Sequence, residues 1–204
     1  MGKTPIAVPL VDLHLAYYGF IIMAQGILLG SASTADPEFS CAKDKIINAS
    51  NHVASLFQML QHITSQGNFG VYFAHISAIS ALILVQFLTE PGVPDIFHIL
   101  TVVLVCVSRR WVIVRGILRM IWATLTRHKV EWYLNAATSS LFHLAALEEW
   151  GPREHQLLKK CAYPNYAEVH EKGRDYVEMG DILQEYASMQ ISGSTEVDPS
   201  ISRS

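Results

Sequence analysis

Nine histidines, three cysteines and a scatter of carboxylates are the side chains here that could bind a metal, attack an electrophile or move a proton. Their spacing favours none of these. His52 and His62 lie ten residues apart and His75 falls on the next segment, so they could meet only through tertiary packing. A lone histidine in an apolar helical setting is ordinarily a hydrogen-bonded core residue. Asp12 and His14 read as the polar first turn of an apolar run, and Glu148, Glu149 and His155 surround Gly151-Pro152 as solvated residues of a turn. Cys41, Cys106 and Cys161 contain no Cys-x-x-Cys pair, so they build neither a zinc site nor a disulfide framework and are read as reduced thiols. There is no Walker-type phosphate loop, dinucleotide turn, nucleophile elbow or His-Glu-x-x-His helix. The expectation is a non-enzymatic chain with no catalytic residue, metal or cofactor of its own.

The elements that would hold such side chains are helices, ordered around Val71 to Leu88, VYFAHISAISALILVQFL. No Asp, Glu, Lys or Arg occurs anywhere from Ile46 to Thr89. A helix apolar all round is either the interior of a helical protein or a membrane span. With 50% hydrophobic and 16% charged residues the chain is too apolar for disorder, and a net charge of −3 gives nucleic acid no basic footprint. The opening MGKTPIAVPLVD has the pattern of neither a secretory signal nor a myristoylation site.

Along the chain, Leu10 to Leu29 is one apolar helix stopped by Gly30. Asp36-Pro37-Glu38 opens the next, with Asp36 as its cap. Behind it Ala42, Ile46, Ala49, Val53, Leu56, Leu60 and Ile63 recur at steps of four and three, a single buried stripe, with Lys43, Asn48, Asn51, Ser55 and Gln58 on the other side. Ser65-Gln66-Gly67-Asn68 and Glu90-Pro91-Gly92-Val93-Pro94 interrupt the pattern on either side of the central run. Asp95 then caps Ile96 to Val107. Arg109, Arg110, Arg115, Arg119 and Arg127 interleave with Trp111 to Leu125 as an amphipathic helix whose basic side is solvated. Glu131 to Leu147 reads as one more helix, turning Trp132, Leu134, Ala137, Leu141, Leu144 and Ala145 inward and closed by Gly151-Pro152.

From Arg153 the sequence is mixed. Glu168 to Glu185 holds six acids against two bases, interleaved with Tyr176, Ile182, Leu183 and Tyr186, as a partner-binding acidic segment does; Gln190 to Ser204 is expected to be disordered. The fold class expected is all-α: a multi-helix bundle with an apolar central helix and a partly disordered C-terminal tail. Residues 1–150 form the helical domain, and 151–204 the locally helical acidic segment and tail.

Leu13 to Leu29 and Val71 to Leu88 could also pair as membrane spans. Gln25, His75, Ser77, Ser80 and Gln86 interrupt them and neither has a Lys or Arg flank, so a soluble chain is favoured. A small helical integral membrane protein anchored by residues 71–88 is the alternative.

Three segments resemble the regulatory middle homology domain of fungal zinc-cluster transcription factors. Leu13-His14-Leu15-Ala16-Tyr17-Tyr18, running on into Ile21 to Leu29, is similar to the Leu-His-x-x-Tyr helix of that domain. Cys41-Ala42-x-x-x-Ile46 through Leu60 resembles its alanine-rich helix, followed by an uncharged helix of the Phe73 to Leu88 type. Ser108-Arg109-Arg110-Trp111 with Val114-Arg115-x-Ile117-Leu118 resembles its helix that opens on a basic-Trp pair. The motif residues are thus Leu13, His14, Tyr17, Ala42, Ile46, Arg110, Trp111 and Arg115, within about residues 10 to 127. The resemblance implies a nuclear, all-helical domain that regulates an attached DNA-binding module and often responds to metabolic signals. Residues 1–150 would be the C-terminal part of such a region.

Two departures stand out. Ala24-Gln25-Gly26 replaces the basic-Pro pair common in the family, and three dispersed cysteines cannot build the six-cysteine zinc cluster, so zinc would belong only to an N-terminal module outside these residues. The expected partners are transcription machinery or a DNA-binding partner, not nucleic acid directly and not a membrane. Exposed apolar surface left by an incomplete core would favour a homodimer. A small-molecule effector is expected in an apolar pocket lined by Tyr72, His75, Phe87 and Trp111.

Overall fold

The computed structural model describes residues 7–63, 71–145, 162–163 and 177–178. Six helices follow in order: α1 (Ala7–Ser31), α2 (Pro37–Ile63), α3 (Val71–Leu84), α4 (Val93–Ser108), α5 (Val112–His128) and α6 (Ala136–Ala145). Single 3-10 turns lie at Val85–Phe87 and Glu131–Tyr133, and β1 (Ala162–Tyr163) pairs antiparallel with β2 (Val177–Glu178) over two residues. The multi-helix, all-α architecture is as expected. The turns at 65–68 and 151–152, the acidic segment 168–185 apart from Val177–Glu178, and the tail from 190 lie outside the described residues, as do Glu148, Glu149 and His155.

The 4-3 stripe of α2 is buried where it should be: Ala42, Ile46, Ala49, Val53 and Leu60 join the core, while Asn48, Asn51, Ser55 and Gln58 are exposed. Phe57, one position beyond the stripe, is also fully buried, its ring edge-on to Phe73 of α3 at 5.9 Å. Pro37 opens α2 as predicted, but the Asp36 carboxylate does not cap it forward. It turns back to accept the Ser33 backbone N–H at 2.9 Å.

Interior position is shared by several helices. Residues 76–85 are buried without a break, and α3 touches α1, α2, α4 and α5. α4 is equally enclosed, touching α2, α3, α5 and α6. It starts at Val93, earlier than predicted, because Gly92 in a left-handed conformation (φ 80°) turns the chain into its first turn and Pro94 fits there; Asp95 lies within that turn, where its charge meets the helix dipole.

The solvated basic side expected for residues 109–127 holds for Arg109 and Arg110, which are exposed before α5 begins, and is corrected for Arg115, Arg119 and Arg127 on α5 itself. No residue of α5 is exposed, and Arg119 is 6% exposed, because α3, α4 and α6 all pack on this helix. The single helix expected over 131–147 is likewise divided. Asn135 accepts the Thr138 backbone N–H at 2.7 Å, a cap that starts α6 afresh after the 3-10 turn. Trp132 and Ala137 therefore face outward, and Phe142 enters the core against Phe97 of α4 and Trp122 of α5.

α1 joins the bundle through small residues. Gly19 and Gly26, seven apart, lie opposite Ile76 and Ile83, also seven apart: a Cβ at Gly19 would come 3.3 Å from Ile76 Cγ1, and one at Gly26 2.9 Å from Ile83 Cδ1. Two turns of α1 thus receive two isoleucines of α3 into the space of absent side chains. Gly26→Val should lower stability by about 1–3 kcal/mol through overpacking, and Ile83→Ala by about 2–5 kcal/mol through the cavity. Because the two changes meet at one contact, thermal or urea melts of the double variant should show a loss at least ~0.5 kcal/mol smaller than the sum.

Candidate functional site

Two surface features are shaped to receive something, and neither is the pocket drawn from residue type. The first is an open cleft of about 550 Å³ between α2 and the start of α4, lined by Asp44, Ile47, Asn48, Asn51, Pro91, Gly92, Asp95, Ile96 and Ile99. Asp44, Ile47, Asn48 and Asn51 share one face of α2 because three- and four-residue steps stack on a helix. Carboxylates and amides stand over an aliphatic floor, a lining that suits a small molecule rich in hydrogen-bond donors and repels an anion. Beside it Lys43 donates to Glu90 Oε1 at 2.9 Å, pinning α2 to the loop before α4; that bond, with the Glu90 charge, raises the Lys43 pKa.

The second feature is the outer side of α1. Leu10, Leu13, Tyr17, Phe20, Ile27 and Leu28 are each more than half exposed, while Val11, Leu15, Ile22 and Leu29 on the opposite side are buried. Residues 9–31 are long and apolar enough to cross a membrane, with 22% of the span buried.

The four residues expected to line an effector pocket are not gathered into one. Tyr72 and Phe87 are separated by fifteen residues of helix, roughly 20 Å of rise. Tyr72 is exposed beside α1, where burial and then the Asp12 carboxylate raise its pKa. Phe87 is buried against Phe39 at 6.4 Å. Trp111 is half exposed at the residue preceding α5, and His75 lies on an exposed part of α3. The α2–α4 cleft contains none of the four.

The motif residues divide between core and surface. Ala42 and Ile46 are buried; Leu13, His14, Tyr17, Arg110 and Trp111 are exposed. Next to His14, Tyr18 stacks on His52 of α2, ring centroids 4.7 Å apart, so this aromatic step joins the first two helices. Arg115 donates Nε–H to the Ser108 carbonyl at 3.3 Å, capping the last turn of α4 from α5.

One polar group that links two helices escaped the sequence reading. His98 Nδ1 lies 2.8 Å from Thr138 Oγ1, whose own proton goes to Asn135 Oδ1 at 2.8 Å, so α4 is tied to the cap of α6. The signal was Asn135 three residues before Thr138, which reads as a helix cap. Among the described residues, no group of three His, Cys, Asp or Glu is placed to hold a metal.

Comparison with protein-family models, curated proteins and solved structures finds no match.

Burial of the His75 surroundings lowers its pKa from 6.5, so the folded protein holds that proton less tightly than the unfolded chain. Stability from this group is full above 6.5 and falls as pH drops from 6.5 through the lowered folded value. His75→Gln should therefore flatten the Tm-versus-pH curve on the acid side of pH 6.5, read as the difference between variant and wild-type melts.

Proposed function

We propose that this chain carries a non-enzymatic helical regulatory domain of the kind found in fungal zinc-cluster transcription factors, acting in the nucleus with transcription machinery or a DNA-binding partner. One observation supports the reading above others. The three segments that resemble that domain fall on α1, on α2 with α3, and on the α4–α5 junction of one continuous core. Ala42 and Ile46 sit inside that core and Arg115 ties the last segment together.

A second reading, a helical membrane protein, has its own observation, though not on the expected helix. Residues 76–84 of α3 are covered by protein, whereas α1 has the length and exposed apolar surface of a span. Carbonate extraction distinguishes the two, since a spanning chain stays in the pellet.

Tethered to a heterologous DNA-binding module in a fungal reporter strain, the chain should change reporter output several-fold relative to the module alone. Phe97→Asp, which puts a charge at a fully buried core position, should abolish the change. Output equal to that of the module alone, in both an activation and a repression reporter, would sink the regulatory reading.

A further inference from the structure

Along α1, Leu10, Leu13, Tyr17, Phe20 and Ile27 follow at steps of three, four, three and seven, with Ala24 filling the last interval. This is the alternation by which a helix meets one partner helix. The inward row, Val11, Leu15, Tyr18, Ile22 and Leu29, repeats the same rhythm and is already used by α2 and α3. α1 therefore carries two seams, and the described residues fill only one.

The size and borders of the open seam indicate what it takes. Six large apolar side chains, two of them aromatic, expose roughly 800 Å² between them, above the ~300–600 Å² of the largest apolar patch on an ordinary monomer. That matches the ~800 Å² per partner of a standard stable interface. Beside the stripe α2 shows His52, Ser55 and Gln58 to solvent, with Met59 as its one exposed large apolar side chain among the described residues, and α3 shows Tyr72 and His75, so polar groups break the apolar surface on both sides. Lipid would call for an apolar belt running over those neighbours as well. From residue 13 to 31 the helix has no charged side chain, so its partner must be an equally uncharged helical row.

We infer that the occupant is α1 of a second copy, giving an isologous homodimer built on Leu13, Tyr17 and Phe20. A two-fold axis sets this seam against itself and closes the assembly at two chains. The inference stands on the α1 surface alone and does not depend on the regulatory reading.

The test is the mass of the purified full chain in solution by light scattering after gel filtration, alongside flotation with phosphatidylcholine vesicles. Wild type should be a dimer that does not float. Leu13→Glu with Phe20→Glu should be monomeric with unchanged helical circular dichroism, its dimer at least ~100-fold weaker because two carboxylates would be buried unpaired. Ser55→Glu, on the polar side of α2, should remain dimeric. In case the double variant does not fold, Phe20→Cys in a Cys41→Ser background should yield a covalent dimer on mild oxidation, and Ser55→Cys should not. A monomeric wild type, a folded double variant that is still dimeric, or crosslinking equal at positions 20 and 55 would overturn the inference. Vesicle flotation lost in the double variant would also overturn it, assigning the seam to lipid.

Discussion

The contact that decides how this chain is assembled is the fit of Ile76 and Ile83 over Gly19 and Gly26. α1 is apolar on nearly every side, so burial alone does not determine which side turns inward. Two missing side chains at heptad spacing do, since only that face lets the backbone of α1 come close enough to α3 for two branched side chains to seat. With that face chosen, Leu15 and Ile22 go to the core and Leu13 and Phe20 are left outside. The orientation of the apolar residues of α1 from Leu10 to Leu29 follows from two positions that have no side chain.

The same reasoning shows what was legible in the sequence. α2 could be read almost residue by residue, because its polar and apolar residues alternate cleanly and a 4-3 stripe admits one inward face. α1 could be read as a helix but not oriented, because a pattern without contrast has no direction. α5 misled for another reason. Its arginines suggested a wet side, yet a guanidinium on a long aliphatic stem can be enclosed when neighbours supply acceptors, as the Ser108 carbonyl does for Arg115. The effector pocket failed on distance: aromatic and imidazole types were chosen from a sequence that does not record that Tyr72 and Phe87 lie at opposite ends of one rod.

The interior keeps its polar groups local. Ser80, Thr101 and Thr124 each return a hydroxyl to the carbonyl four residues back, at 2.8 to 2.9 Å, so three buried oxygens are satisfied within their own helices and constrain no neighbour. Contacts between helices are therefore mainly shape against shape. Three polar links that do cross sit toward helix ends: Lys43 to Glu90, Arg115 to Ser108, His98 to Thr138. Packing sets the middle of the bundle and directional bonds set its joints.

The last of these joints has a built-in polarity. Thr138 owns a single hydroxyl proton and spends it on Asn135, so the imidazole of His98 must carry its hydrogen on Nδ1 and keep its lone pair on Nε2. The α4–α6 joint is thus a one-way relay of donors, imidazole to hydroxyl to amide oxygen, and that order fixes how all three side chains face.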